Sequence, residues 1–215
     1  MGVIEILSSR REYTKLNPFV VLLGKGNHEM ILNPLRITRS NLTFVGTGKV
    51  TTTILGGFAI INQENITFKQ MTVTHASNYC NGISLRNAKV ELIDVALKGC
   101  GGDALNIPYT ETTLVATRCE FANSGSGAQV FGRLLSATFK NCVFNDNVGD
   151  GILVGGATIH LHGEATAVHS NGQVGIYALY SGKVVIHLPS PHNTTYNNKT
   201  DRQTYSDGTI TNVED

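Results

Sequence analysis

Asn41-Leu42-Thr43-Phe44 returns as Asn65-Ile66-Thr67-Phe68, 24 residues further on. Recurrence at a fixed period of roughly 20–50 residues marks a chain built from stacked units, and here it decides the fold. Following the Leu42/Phe44 pair gives Ile66/Phe68, Val90/Leu92, Leu114/Ala116, Ala137/Phe139, Ile159/Leu161 and Val184/Ile186, in steps of 24, 24, 24, 23, 22 and 25 residues. A second column keeps phase with it: Leu35/Ile37, Phe58/Ile60, Ile83/Leu85, Leu105/Ile107, Ala128/Val130, Ile152/Val154 and Ile176/Ala178. A third runs through Met71/Val73, Val95/Leu97, Cys119/Phe121, Cys142/Phe144 and Thr166/Val168. Each pair skips one residue, which is the strand period, so one face of every strand points inward.

Three short strands per repeat, each apolar on one side, close into a coil that stacks on the next with parallel strands about 4.8 Å apart. The spacing predicts an all-β, single-stranded parallel β-helix (a solenoid) of about seven coils over residues 19–188. A leucine-rich repeat is the rival, but its LxxLxLxxN signature and helical segment are missing. Just before the second column stand Pro34, Gly57, Gly82, Ala104, Gly127, Gly151 and Gly175. Five of the seven are glycine, as expected where every coil turns sharply through a geometry that favours it. In front of them stand Asn33, Gly56, Asn81, Asp103, Ser126, Asp150 and Val174, mostly turn formers.

Terminal coils expose core and strand edges and need covers. Val3, Ile4, Leu7 and Leu16 stand among polar residues before Asn17-Pro18, so residues 1–18 are expected as an N-terminal cap with a short amphipathic helix. The periodicity fades after Leu188, and residues 189–215 are expected as a C-terminal cap or irregular tail.

The 215 residues carry 17 Lys+Arg against 16 Asp+Glu, a net charge of +1, which argues against a nucleic-acid partner. No apolar run approaches the ~20 residues of a membrane span, and the first residues lack a secretory signal's apolar stretch. Cys80, Cys100, Cys119 and Cys142 form no CxxC pair, and four are too few for a disulfide scaffold. Cys119 and Cys142 fall in one inward column as small buried hydrophobes, at a spacing that also permits a disulfide.

Units such as NITFKQMTV, KVELIDVAL, TLVATRCEF and ATFKNCVF resemble the right-handed parallel β-helix proteins of the pectin-lyase-like superfamily. The stretch ATIHLHGEATAVHSNGQVGIYA, with GKVVIHLPSPHN after it, is similar to β-helix proteins of marine algae and large DNA viruses. Membership implies right-handed coiling but no single function, because the fold serves lyases, hydrolases, epimerases, tail spikes and binding scaffolds. Pectate-lyase-like enzymes of the fold imply a carboxylate cluster for calcium beside a basic residue, and no rung here gathers one. Polygalacturonase-like enzymes imply NTD, DD, GHG and RIK motifs, of which only Gly102-Asp103-Ala104 is approached. The DPH-type motif of mannuronan epimerases is absent.

Asp103 and Asp150 are the remaining catalytic candidates. They share a column two coils apart, near ~9.6 Å, at the edge of the ~6.5–9.5 Å that separates acid and base in inverting glycosidases. On an outward turn both are expected to be solvated and ionised together, leaving no proton donor. His160, His162 and His187 could present three imidazoles to zinc or nickel, but a solvated polar face is preferred, with no metal and no cofactor expected. Asp94 and Arg118 should form an exposed ion pair, which contributes little. Sequons begin at Asn41, Asn65, Asn193 and Asn198, the last two being the exposed candidates.

The outward column of the second strand set reads Arg36, Ala59, Ser84, Asn106, Gln129, Leu153 and Tyr177, with Phe131 and Leu179 nearby. Ser84, Asn106, Gln129 and Tyr177 offer amides and a hydroxyl for sugar hydroxyls and an aromatic ring for a pyranose face. The leading expectation is a non-catalytic scaffold or binding module for a polysaccharide or protein partner, part of a larger viral or cell-surface assembly. The alternative is a polysaccharide hydrolase or lyase using Asp103 and Asp150.

Overall fold

The structure, a computed structural model, describes residues 12–30, 34–108, 111–188, 192 and 194–214. Its strands stack in parallel register around one lumen and form three faces. Face one is an eight-stranded sheet: Leu35–Ile37, Phe58–Ile61, Ile83–Arg86, Leu105–Ile107, Ala128–Phe131, Ile152–Gly155, Val174–Leu179 and Thr200–Tyr205. Face two stacks Phe19–Leu22, Leu42–Val45, Thr113–Thr117, Ser136–Lys140, Thr158–His162, Lys183–His187 and Thr209–Asn212 around the leading halves of Ile66–Thr74 and Lys89–Lys98. Face three takes the trailing halves of those two long strands together with Gly26–Glu29, Thr52–Leu55, Glu120–Ala122, Val143–Asn145, Ala167–His169 and Thr195–Tyr196.

The register reproduces the sequence columns. Leu42 pairs with Ile66, Ile66 with Val90, Leu114 with Ala137, Ala137 with Ile159 and Ile159 with Val184. Ala137 and Phe139 are fully buried, as are Ile66, Phe68, Leu92 and Leu161. Rings stack where columns place Phe over Phe: Phe44–Phe68 centroids lie 5.0 Å apart at 8° and Phe121–Phe144 centroids 4.7 Å apart at 8°. Phe58 and Phe139 meet these stacks edge-on from neighbouring faces, and each such pair adds roughly 0.5–1.5 kcal/mol beyond burial.

Two corner features differ from the sequence reading. The glycine column before face one does not have positive φ. A Cβ at Gly127 would sit 2.5 Å from the Gly151 carbonyl oxygen, and one at Gly151 would sit 2.7 Å from that of Gly175. Glycine is there because successive coils approach too closely for a side chain. Positive φ belongs to other corners, at Gln70, Asp94, Arg118 and Asn141 between faces two and three and at Asn123, Asp146, Ser170 and Asn197 after face three. Asn and Asp tolerate that conformation best, and Asn123, Asn141, Asn197, Asp94 and Asp146 take it here.

An asparagine ladder lies inside the turn from face three to face one. Asn147 Nδ2 donates to Asn171 Oδ1 at 2.9 Å, and Asn171 Nδ2 donates to Asn198 Oδ1 at 2.8 Å. The same amides donate to the carbonyls of Phe121, Phe144 and Val168 in the preceding coil. Asn198 is therefore committed to the ladder and to Asp201, which corrects its reading as an exposed sequon; Asn193 lies outside the described residues. The sequon residues Asn41 and Asn65 pair at 2.8 Å in a second ladder at a positive-φ corner.

The ends also differ. Residues 189–215 were expected as a cap or irregular tail, yet Thr195–Tyr196, Thr200–Tyr205 and Thr209–Asn212 add another coil in register. Their inward positions are polar apart from Ile210, which packs against the core over Val184. Arg202, facing inward above Ile176, donates from Nε to Thr195 Oγ1 at 3.0 Å and from Nη1 to Asn212 Oδ1 at 2.9 Å. Those three residues come from three faces and close the lumen. At the other end, the expected helix over residues 3–16 falls mostly outside the described residues. Residues 12–18 are not helical, and Leu16 is 97% exposed. Tyr13 instead packs edge-on against Phe19 and accepts a hydrogen bond from Asn41 at 2.7 Å.

Candidate functional site

Face one carries the outward ladder expected from the sequence: Arg36 pairs with Ala59, Ala59 with Ser84, Ser84 with Asn106, Asn106 with Gln129, Gln129 with Leu153 and Leu153 with Tyr177. The added coil extends it to Gln203. Two residues along each strand, Phe131, Gly155, Leu179 and Tyr205 form a parallel column. Phe131 lies over Gly155, where a Cβ would come within 2.4 Å of its ring. Tyr205 and Tyr180 meet edge-on at 5.9 Å and are 58% and 59% exposed. The ladder thus runs from amides into an aromatic end.

Asp103 sits at the upstream edge of this ladder and is only 9% exposed, contrary to the solvated carboxylate expected. Its Oδ2 accepts from Asn106 Nδ2 at 3.0 Å and its Oδ1 from Gln129 Nε2 at 3.1 Å. Its backbone N–H donates to Asn81 Oδ1 at 2.8 Å, and Asn81 Nδ2 donates to Ser84 Oγ at 3.3 Å. Burial pushes the Asp103 carboxyl above its ordinary value, opposed by hydrogen bonds from Asn106, Ser126 and Gln129. Asp150 is also raised by burial, against a single hydrogen bond from the Val174 N–H at 2.9 Å. The expectation that both are solvated and fully ionised is therefore corrected for each. They remain two coils apart with Ser126 between them. Each bonds the backbone of the following coil at its own column, which is a turn-stabilising role.

The residue types explain the arrangement. At Asn81, Asp103 and Asp150 a short polar residue ends the turn before face one, and its side chain reaches a backbone N–H of the next coil. Asn106 and Gln129 stand one step inside that corner, close enough to donate sideways into the one carboxylate of the column that lies between them. Their amide nitrogens are thereby fixed on Asp103, and their carbonyl oxygens are the remaining acceptors of the ladder.

Elsewhere, Asp94 and Arg118 form the expected pair at 2.7 Å and 2.8 Å, which holds the Asp94 carboxyl below its ordinary value. Cys119 and Cys142 stack as separate buried thiols, and burial pushes Cys142 up. His160, His162 and His187 converge on the outer surface of face two, each half-buried. Burial lowers His160, assisted by the charge of His187. A depression of about 760 Å³ lined by Glu64, Asn87, Lys89, Glu111, Thr112 and Leu134 lies at the opposite corner of face one from Asp103. Sequence reasoning missed it, because it forms where turns of different coils meet and no single stretch signals it.

A lumen closed by three parallel faces, with a polar-to-aromatic ladder on one flank, defines a parallel β-helix of the kind that presents a long, flat side to its surroundings. The right handed beta helix region family matches residues 33–210, and the chain belongs to that family. Among solved structures it is similar to ORF18 of Geobacillus virus E2, at 15% identity and a TM-score of 0.56 over 78% of this chain and 39% of that one. It is similar to the pectin methylesterase PemA of Erwinia chrysanthemi at 14% identity and a TM-score of 0.57, over 86% of this chain and 72% of that one. A pectin methylesterase in complex with a hexasaccharide matches at 14% identity and a TM-score of 0.53, over 100% of this chain and 89% of that one. The fold is thus one shared with carbohydrate-active enzymes and a viral protein. The chain spans well under half of the viral protein's length. No curated protein sequence matches it.

Proposed function

We propose that the protein is a non-catalytic binding module whose face one takes up an extended polysaccharide. The observation that carries this reading is the pinning of Asn106 and Gln129 by one buried carboxylate. Side chains held in place lose less entropy on binding, so their acceptors are worth more to a ligand. The rungs repeat about every 4.8 Å, comparable to the repeat of an extended pyranose chain, so successive sugars can meet successive rungs. Tyr177 and Tyr205 then offer ring faces where the amides end. A solved pectin methylesterase of this fold holds a hexasaccharide, which lends the reading a precedent in fold alone.

A hydrolytic reading is favoured by one observation, the raised carboxyls of Asp103 and Asp150. Against it, the oxygens that would handle protons already hold the protein's own amides and backbone. The test is a glycan array run beside reducing-sugar and methyl-ester release assays on pectin and alginate. Retention of at least one acidic or neutral polysaccharide, weakened about five-fold by Gln129→Ala (one hydrogen bond of ~1 kcal/mol) and further by Tyr177→Ala, without product release, is expected. Turnover abolished by Asp103→Asn in a folded protein would overturn it.

A further inference from the structure

We propose that His160, His162 and His187 form a binding site for a single divalent transition-metal ion, zinc or copper, on the outer surface of face two. His160 and His162 alternate on the strand Thr158–His162 and so point to the same side. His187 stands directly opposite His162 on the neighbouring parallel strand. His160 Nδ1 and His187 Nε2 are 2.9 Å apart, and the His162 and His187 rings stack with centroids at 3.9 Å. One ligand nitrogen from each of the three lies within 4.8 Å of the others.

Three imidazoles are the protein ligand set of open zinc sites, in which a water or substrate holds the fourth position. Zinc–nitrogen bonds of about 2.0–2.1 Å place tetrahedral ligands roughly 3.4 Å apart. The 2.9 Å between His160 and His187 and the 4.8 Å limit over all three keep the nitrogens within reach of one ion. Bound metal would replace the proton now shared between His160 and His187. The ligands rest on two strands of a continuous ladder, a rigid base of the kind that ordered metal sites need. All three are half-buried, which leaves one side open to solvent. Imidazole nitrogen selects zinc, copper and nickel over magnesium or calcium, and copper binds such sites most tightly of the divalent series. Among the described residues Lys140 pairs with His162 from the other side, in the same outward column. An ammonium in that column opposes a bound cation.

The experiment is calorimetric titration of the EDTA-stripped, desalted full chain with zinc chloride and, separately, copper chloride. One equivalent of either ion should bind. Affinity should fall about 10-fold or more in His160→Gln and in His187→Gln, while His169→Gln, outside the cluster, should leave it unchanged. Lys140→Gln should tighten binding by removing the opposing charge. The substituted side chains are surface-facing, and matched far-UV circular dichroism would show the variants folded. Absence of saturable binding of both ions would overturn the proposal, as would binding that survives His160→Gln and His187→Gln combined.

Discussion

Replacing Asn171 by alanine should be among the most damaging single changes that leave the apolar lumen intact. Asn171 is 2% exposed, and its Nδ2 donates to Phe144 O at 3.1 Å, His169 O at 3.0 Å and Asn198 Oδ1 at 2.8 Å. Its Oδ1 accepts from the Asn147 N–H at 3.2 Å and from Asn147 Nδ2 at 2.9 Å. Alanine leaves the Asn147 N–H and Asn147 Nδ2 with a lost acceptor and the Phe144 carbonyl with a lost donor, all away from water. At ~1 kcal/mol or more per buried group left unsatisfied, the loss sums to about 3–4 kcal/mol. That is a large share of the roughly 5–15 kcal/mol by which a domain is stable. Urea titration followed by circular dichroism reads it as a fall in midpoint against Asn27→Ala, a change at an exposed strand position. Asn171→Asp should fare no better at neutral pH, since it keeps the acceptor but loses every donor. A loss below about 1 kcal/mol for Asn171→Ala would refute the ladder as a structural element and reduce it to filler.

Two further outcomes follow from groups described above. Burial holds the Asp103 carboxyl above the ordinary 3.8, so the folded state binds its proton more tightly than the unfolded one. That contribution is full below the unfolded value and is lost as pH rises through the folded one. The stability of the protein relative to Asp103→Asn should therefore decline as pH rises above the ordinary carboxyl value of 3.8, read by denaturant midpoints across buffers; a difference that grows with pH would contradict the burial. Thiol labelling under native conditions should modify Cys80, which is partly exposed, and leave Cys100, Cys119 and Cys142 unreacted until denaturant is added. Rapid native labelling of Cys119 would place that column outside the lumen.

Most of the fold was legible because its signal is local and repeated. A residue such as Phe139 announces its place through Ala116 and Leu161, one coil to either side. Where the inward residues stop being apolar, the signal fails although the fold continues. Arg202 and Asn212 occupy the same columns as Ile176 and Ile186, but hydropathy counts them as surface. The glycine column was found for a mistaken reason, because a sequence shows that Gly127 and Gly151 are small without showing the carbonyl that makes them so. The outward ladder was read correctly from register alone. Its anchor was not, because Asp103 looks like any turn aspartate until Asn106 and Gln129 are seen donating into it. The convergence of His187 with His160, beyond its alignment with His162, likewise depends on ring rotamers that spacing leaves open.

Arg202 carries a further consequence for how copies of this molecule meet. A stack of parallel coils is an open-ended lattice, and a coil end showing aliphatic side chains and free strand edges invites the next molecule to dock head-to-tail, a contact that never closes and so grows into a fibre. The final coil offers such a newcomer a guanidinium already bonded to Thr195 and Asn212. Docking there would have to strip water from a fixed positive charge, while the inward columns of the first described coil present Phe19 and Val21. A half-buried arginine thus makes that coil end a poor seat for head-to-tail stacking.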